Sequence, residues 1–203
     1  GGSFALALRK AGMVRRVVGV GRRPETVLRA QQLGIVDAVG GYDAATFGDA
    51  DLVLLAMPVG QMQPVMRAIA PLIGAATVVT DGGSTKQDVV AYARKYLADH
   101  FERFVPAHPI AGAEKSGSTA ARADLYVDRH LILAPQPETR AAAISLVRRA
   151  WKLCGARVSE MTAPQHDRMF AAVSWKSVPL KFETVRPLRS ARLFSVESDG
   201  IAI

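Results

Sequence analysis

Short apolar runs alternate along this chain with stretches of helical periodicity. Three of the runs have the length and aliphatic content of strands buried on both faces: 17–21 (VVGVG), 52–57 (LVLLAM) and 77–80 (TVVT). A segment with apolar residues at helical spacing follows each of them. Because this order makes a helix cross over between neighbouring strands, it predicts a doubly wound α/β fold with a mostly parallel sheet.

The alternation continues to residue 174. Helices are predicted at 24–33, 61–73, 86–101, 137–153 and 167–174, and further strands at 104–105 and 131–134. Gly34, Gly74 and Gly155 stand just after three of these helices, where glycine commonly ends a helix. After residue 174 the apolar residues keep no regular spacing, and two prolines interrupt the sequence. The last segment therefore predicts no regular element.

The first residues are unusual for the start of a domain. Gly1, Gly2 and Ser3 lead directly into an apolar helical pattern that Gly12 closes. In a dinucleotide-binding sheet, glycines of this kind follow the first strand. We therefore expect the sheet to lack its first strand. The alternative is that the glycines are a cloning remnant.

Composition excludes several classes of protein. The chain has 203 residues, of which 49% are hydrophobic, and one cysteine, Cys154, so neither a disordered chain nor a disulfide scaffold is expected. The net charge is +8, but the basic residues are scattered along the sequence and no run of aromatic residues accompanies them, which argues against a nucleic-acid partner. No apolar run approaches the roughly 20 residues that cross a membrane. We expect a cytoplasmic protein with no membrane partner. No cysteines, histidines or carboxylates have the spacing of zinc ligands, so we expect no metal site.

Two features indicate a nicotinamide dinucleotide as cofactor. The small residues Gly1, Gly2 and Ser3 at a helix N-terminus would let backbone N–H groups approach a pyrophosphate. At the end of the second strand of such a fold, where a carboxylate would bind a ribose hydroxyl, this chain has Arg22 and Arg23. Guanidinium groups suit a 2′-phosphate, so we expect NADP, with NAD as the alternative. The arginines could instead be a solvated pair in a loop.

Three loops after predicted strands contain small and polar residues. They are 57–60 (MPVG), 81–86 (DGGSTK) and 107–117 (AHPIAGAEKSG). In open parallel sheets, ligands bind beyond the carboxyl ends of the strands, so the three loops should meet at one edge. His108, directly after a strand, is then a candidate catalytic residue, although a lone histidine there is more often structural.

Six segments follow one another in order: GGSFALALRKAG, VVGVGRRPE, ADLVLLAMPV, TDGGSTK, HPIAGAEKSG and QHDR. The fifth is highly specific when it occurs together with the D-x-G-S-x-K pattern of the fourth. On these segments the chain resembles the prephenate/arogenate dehydrogenase family of tyrosine biosynthesis. The resemblance implies a Rossmann-like NAD(P)-binding domain at 1–162. It also implies the start of a helical dimerisation domain at 163–203, where this sequence diverges after Ser174.

The resemblance implies an oxidative decarboxylation of prephenate or arogenate to 4-hydroxyphenylpyruvate or tyrosine. A hydride leaves the hydroxyl-bearing carbon for the nicotinamide, and CO2 leaves as the ring becomes aromatic. His108 matches the histidine that hydrogen-bonds the hydroxyl, and a neutral imidazole suits that task. Ser84 matches the serine that orients the same hydroxyl and touches the nicotinamide.

The resemblance also implies a set of binding residues. Those at the entrance of the substrate pocket are Glu114, Lys115 and Ser116, and those that pack against the cofactor are Met57, Pro58 and Val59. The family forms homodimers, but most of the domain that makes the dimer has no counterpart here. Two alternatives therefore remain open: a nucleotide-binding fragment without turnover, and another reductase with a similar nucleotide domain, such as a pyrroline-carboxylate or hydroxyacid type.

Overall fold

A computed structural model of the chain describes residues 1–111, 117–172 and 191–197. The helices in this part are α1 (Gly2–Lys10), α2 (Pro24–Gln32), α3 (Ala44–Phe47), α4 (Val59–Ile69), α5 (Gln87–Tyr96), α6 (Ala141–Leu153) and α7 (Ala163–Ala172). The strands are β1 (Val14–Gly21), β2 (Ala38–Val39), β3 (Leu52–Leu55), β4 (Val78–Asp81), β5 (Phe104–Val105), β6 (Ala107–Pro109), β7 (His130–Leu133), β8 (Arg157–Glu160) and β9 (Ala191–Glu197). Two 3₁₀ turns, at Ala98–Arg103 and Ser118–Ala120, complete the order.

The strands form two sheets. The larger has the order β2-β1-β9-β3-β4-β5, and all of its strand pairs are parallel. The smaller has the order β6-β7-β8, in which β6 runs antiparallel to β7 and β8 runs parallel to it. Parallel strands joined by helices are what the alternation of apolar runs predicted, so the α/β fold class is confirmed.

Each face of the larger sheet carries its own hydrophobic core. On β3, Leu52 and Leu54 belong to the core formed with α1, α2 and α6, whereas Val53 and Leu55 belong to the core formed with α4 and α5. All four side chains of β3 are buried. This strand therefore has the uninterrupted apolar sequence of a strand covered on both faces.

Strand β9 adds an element that the sequence pattern did not predict. It lies between β1 and β3 and parallel to both, with Val196 in register with Val20 on one side and Leu55 on the other. This is the place of the first strand in a doubly wound sheet. We expected that place to be empty, but residues 191–197 complete the larger sheet. That residues 163–203 begin a helical domain stays a prediction. Without a strand there, β1 and β3 would each leave backbone N–H and C=O groups unpaired inside the sheet.

The chain leaves the larger sheet at Pro106. The sequence predicts His108 in a loop after β5, but residues 107–109 form β6, in which His108 pairs with Ile132 of β7. The Pro106 carbonyl accepts a hydrogen bond from the Ala134 N–H at 2.9 Å. Proline has no N–H for a sheet ladder, so the break between β5 and β6 falls at this residue. In the part of the chain described, no helix is long and apolar enough to cross a membrane.

Glycines end helices α1, α2 and α6, as the sequence predicted from Gly12, Gly34 and Gly155. In α1 the Gly12 N–H donates to the Arg9 carbonyl and the Met13 N–H to the Leu8 carbonyl, both at 3.0 Å, which is a Schellman arrangement. Gly12 has a φ of +67°, in the left-handed region. Gly34 and Gly155 have the same arrangement at the ends of α2 and α6.

Replacing Gly12 with Ala is expected to lower the free energy of unfolding by about 1–2 kcal/mol, the cost of a left-handed conformation for an L-residue. In the described part of the chain a Cβ at this position would meet nothing within 4 Å, so backbone strain alone should act. Gly60→Ala is the matched control, because its Cβ would also meet open space and the residue lies inside helix α4. Urea denaturation should show a loss for Gly12→Ala and no loss for Gly60→Ala. Equal effects would contradict the strain argument.

Candidate functional site

The candidate site lies where β4 ends and β6 begins. Strand β4 ends at Asp81, residues 82–86 form a loop, and α5 starts at Gln87. The side chain of Asp81 accepts a hydrogen bond from the Ala107 N–H at 2.9 Å, and a Cβ on Gly82 would lie 3.9 Å from Pro109. The loop is thus held beside the strand that carries His108.

A buried ion pair fixes this junction. The side chains of Asp81 and Lys86 are fully buried and in direct contact. The Lys86 ammonium also donates to the Ala107 carbonyl at 2.7 Å, and the Asp81 carboxylate also accepts from the Gly83 N–H at 2.7 Å. Burial lowers the pKa of Lys86, and the attraction of the Asp81 carboxylate offsets this shift only in part. Because the pair bonds to the backbone on both sides of the site, it sets the distance between the 82–86 loop and His108.

His108 is a neutral base in this environment. Its imidazole is partly buried, and burial together with the charge on Lys86 lowers the pKa of His108 to about 3. At neutral pH the ring therefore carries one proton and one lone pair. A neutral imidazole can accept a proton from a hydroxyl group.

Helix α7 supplies a second histidine to the site. The Nδ1 atom of His108 lies 2.8 Å from Nε2 of His166, and Nδ1 of His166 lies 2.7 Å from Oδ1 of Asp167. The ring of Phe170 lies against both imidazoles, with centroid distances of 5.0 Å to His108 and 4.7 Å to His166. His166 is fully buried. The sequence predicts no catalytic role for these residues of α7.

Asp167 also caps helix α5. Its carboxylate accepts hydrogen bonds from the Lys86 N–H at 2.8 Å and from the Gln87 N–H at 2.9 Å. Burial opposes ionisation of this carboxyl group, but the hydrogen bonds from Gln87, His166 and Lys86 outweigh it and lower the pKa of Asp167. The carboxylate is therefore ionised at neutral pH, and it joins α5 to α7 directly behind His108.

The N-termini of α1 and α4 suit an anionic cofactor. Among the residues that the structure describes, neither helix has a side-chain cap, and neither has an acidic residue in its first turn. Because α1 ends where β1 begins, its N-terminus lies at the carboxyl edge of the larger sheet, and α4 starts at that edge after β3. Gly1 and Gly2 have no Cβ, and a Cβ on Gly60 would meet open space. These residues fit a dinucleotide, whose phosphates bind at helix N-termini.

The predicted cofactor residues occupy different environments. Arg22 and Arg23 are exposed where β1 ends, at the same carboxyl edge. The Ser3 hydroxyl accepts a hydrogen bond from the Arg122 N–H at 3.0 Å, so this side chain fastens α1 to the segment before β7. At the start of α4, Met57 is buried in the core, Val59 is partly buried and Pro58 is exposed.

The loop that carries Ser84 is bonded at both ends to Ala107, the neighbour of His108, through Asp81 and Lys86. Ser84 itself is exposed. Glu114, Lys115 and Ser116 lie outside the described residues. Cys154 packs in the core, where burial raises the pKa of its thiol, as expected for a packing residue.

Four side chains of this site were not predicted from the sequence: Asp81 and Lys86, which bond to the backbone of Ala107, and His166 and Asp167, which follow one another behind His108. All four stand in the segments TDGGSTK and QHDR. The available signal was that two charged residues, Asp81 and Lys86, flank a loop of small residues directly after a buried strand. Nothing in the sequence joins that loop to residues 166–167, about eighty positions later.

Known proteins are similar to this chain in sequence and in fold. The family model described as the nucleotide-binding domain of prephenate dehydrogenase matches residues 4–160. Cyclohexadienyl dehydrogenase of Zymomonas mobilis is 36% identical over 146 residues, which are 72% of this chain and 49% of that protein. Prephenate dehydrogenase of Bacillus subtilis is 33% identical over 175 residues, which are 86% of this chain and 47% of that protein.

A solved structure agrees with these matches. The structure of prephenate dehydrogenase from Aquifex aeolicus in complex with hydroxyphenyl propionate and NAD+ is 34% identical, with a TM-score of 0.78, and the match covers 85% of this chain and 60% of that one. This chain spans about half the length of the curated relatives it matches. Because the family model covers well over half of the sequence, the chain belongs to the prephenate dehydrogenase family.

Proposed function

We propose that this chain is the nucleotide-binding part of an oxidoreductase that oxidatively decarboxylates prephenate or arogenate with NADP as cofactor. The observation that carries the proposal is the neutral, partly buried imidazole of His108, held at the edge of the site by residues on both sides. Family membership supports the reaction class, and the complex of the Aquifex aeolicus relative with NAD+ supports a nicotinamide cofactor.

In the proposed reaction His108 accepts the proton of the ring hydroxyl. A base with a pKa near 3 is weak at neutral pH, but the substrate brings two carboxylates in prephenate, and negative charge nearby raises the pKa of an imidazole. The base would therefore gain strength when the substrate binds. Ser84, exposed in the adjacent loop, would orient the same hydroxyl. Glu114, Lys115 and Ser116 stay proposed residues of the pocket entrance.

When bound, the nicotinamide accepts the hydride from the carbon that bears the hydroxyl. Gly1 and Gly2 at the N-terminus of α1 would hold the pyrophosphate through backbone N–H groups, with Ser3 beside them. Pro58 and Val59 would contact the cofactor at the start of α4, and Met57 would support them from the core. A cytoplasmic location stays a prediction from the sequence, and a homodimeric assembly stays a prediction from the resemblance.

Arg22 and Arg23 are proposed to hold the 2′-phosphate of NADP. Replacing both with Ala should lower the preference for NADP+ over NAD+ by about 10–100-fold, because a hydrogen bond to a charged group contributes about 1.5–3 kcal/mol. The measurement is the ratio of the two Michaelis constants. Arg15→Ala with Arg16→Ala is the matched control, since these exposed arginines lie near the amino end of β1. A parent chain that prefers NAD+ would refute the assignment.

The proposed activity is tested by mixing the chain with NADP+ and either prephenate or arogenate and following absorbance of the reduced cofactor. Reduction with either substrate supports the proposal, and the faster substrate identifies the natural one. Cofactor binding without reduction would instead indicate a nucleotide-binding fragment without turnover. Reduction with a hydroxy acid but with neither ring substrate would indicate another reductase.

A further inference from the structure

Two side chains behind His108 have no role in the reaction as proposed above. His166 and Asp167 form with His108 a continuous row of hydrogen-bonding atoms, which we name the relay: Asp167 Oδ1, His166 Nδ1 and Nε2, and His108 Nδ1. Its far end, Nε2 of His108, makes no contact within the relay. Whether Nε2 of His108 can accept a proton depends on which nitrogens of the relay are already protonated.

The proton positions follow from the carboxylate. Asp167 is ionised and can only accept hydrogen bonds, so Nδ1 of His166 must carry a proton. Burial lowers the pKa of His166, only partly offset by Asp167, so this ring is neutral and its Nε2 has a lone pair. Nδ1 of His108 must then donate to Nε2 of His166. Because His108 is also neutral, its second nitrogen, Nε2, carries a lone pair.

We propose that His166 and Asp167 are positioning residues that hold His108 in the tautomer with its proton on Nδ1, so that Nε2 faces the substrate as a proton acceptor. The catalytic part of this inference rests on the proposed function. The tautomer itself does not, because it follows from contacts within the protein. In the opposite tautomer, Nε2 of His108 would carry a proton and could not accept one from a hydroxyl.

The surroundings of the relay keep it in this state. His166 is fully buried, so water cannot replace either of its partners. Phe170 covers both rings and holds their relative orientation. Asp167 is held in turn by two backbone N–H groups at the start of α5, where the helix dipole also favours its negative charge. The groups that act on the charge of His108 are Lys86, His166 and Asp167.

The relay also assists the proton transfer. In the proposed step the hydroxyl O–H bond breaks, an N–H bond forms at Nε2 of His108, and the freed electron pair forms a C=O bond as the carbon gives its hydride to the oxidised nicotinamide. The bond to the departing CO2 breaks and its electron pair enters the ring, which becomes aromatic. His108 is then an imidazolium. Its positive charge lies next to the lone pair of His166, whose other nitrogen bonds to the Asp167 carboxylate, so the relay stabilises the charge that develops.

Nitrogen-15 NMR of the histidine-labelled chain, without substrate or cofactor, tests the tautomer directly. The chain has four histidines, and His108→Asn and His166→Gln assign the two relevant rings by loss of their signals. At neutral pH we expect the protonated nitrogen to be Nδ1 in both His108 and His166, with Nε2 unprotonated in both. A proton on Nε2 of His108, or an imidazolium there, would overturn the proposal.

Two variants of His166 separate positioning from packing. His166→Gln keeps an oxygen that can accept from Nδ1 of His108, whereas His166→Phe keeps an aromatic ring but offers no acceptor. We expect His108 to keep its Nδ1 proton in the Gln variant and to move it to Nε2 in the Phe variant. Gln87→Ala is the control at the Asp167 end of the relay. It removes a 3.3 Å contact to Asp167 Oδ2 but leaves the relay atoms in place, so the tautomer of His108 should not change. An unchanged tautomer in His166→Phe would refute the role of His166.

Turnover then tests the consequence. If the chain reduces NADP+ with prephenate, kcat of His166→Phe should be about 100-fold below that of His166→Gln. This factor is at the lower end of the range for loss of a general base. The KM values for NADP+ should be similar in the two variants. Equal kcat values would contradict the positioning role. If the parent chain shows no turnover, the proposed function fails, but the NMR result still decides the tautomer.

Discussion

Replacing His108 with Asn is expected to lower kcat for prephenate by about 10²–10⁴-fold and to leave the Kd for NADP+ nearly unchanged. Asn has a similar size and can hydrogen-bond, but it cannot take a proton from the hydroxyl. The cofactor phosphates would bind at the N-terminus of α1, and no contact of His108 lies there among the described residues. The measurement combines steady-state turnover with titration of NADP+ binding.

A matched substitution controls for general damage. His100→Asn makes the same change in the 3₁₀ turn at Ala98–Arg103, after α5 and away from the relay, and should leave both kcat and Kd as in the parent. Parallel losses of turnover and cofactor affinity in His108→Asn would show that the histidine supports the fold of the site and does not act as the base.

Replacing Lys86 with Met is expected to lower the free energy of unfolding by about 3–5 kcal/mol, as removal of one partner from a buried ion pair does. The Asp81 carboxylate would stay fully buried, bonded to the Gly83 and Ala107 N–H groups but without a cation. The Ala107 carbonyl would also lose its 2.7 Å hydrogen bond from the ammonium. Urea denaturation with an unchanged m-value measures the loss.

Two further variants show that burial causes the effect. Arg122→Met breaks an ion pair with Asp124 at 3.0 Å in which both side chains are exposed, and stability should stay nearly unchanged because solvent screens such pairs. The double variant Asp81→Asn with Lys86→Met removes both charges, so it should be less destabilised than the sum of the single changes. A loss in Lys86→Met no greater than in Arg122→Met would contradict the buried-pair account.

Local sequence pattern was sufficient for much of the fold. Strand β3 was predicted from an apolar run with no polar residue, which only a strand covered on both faces can have. Helix α2 was predicted to within one residue, because Pro24 starts it and a glycine follows its cap. Strand β2 is two residues long and carries no periodic signal.

Long-range pairing could not be predicted in the same way. Strand β9 pairs with β1 and β3, more than 130 residues earlier in the chain, and its position depends on the backbone groups of those strands. The boundary between a nucleotide-binding domain at 1–162 and a unit at 163–203 stays a prediction. Helix α7, just after that boundary, contributes His166 and Asp167 to the site through contacts that no local pattern encodes.

The central claim is that the imidazole of His108 receives the proton of the ring hydroxyl. The most direct test is nitrogen-15 NMR of the labelled chain with NADP+ and hydroxyphenyl propionate, a ligand found in the complex of the Aquifex aeolicus relative. We expect the Nε2 resonance of His108 to shift on addition of this ligand, as a nitrogen that accepts a hydrogen bond from its hydroxyl should, while the His100 resonances stay unchanged. A ligand that binds without moving the Nε2 resonance of His108 would contradict the claim.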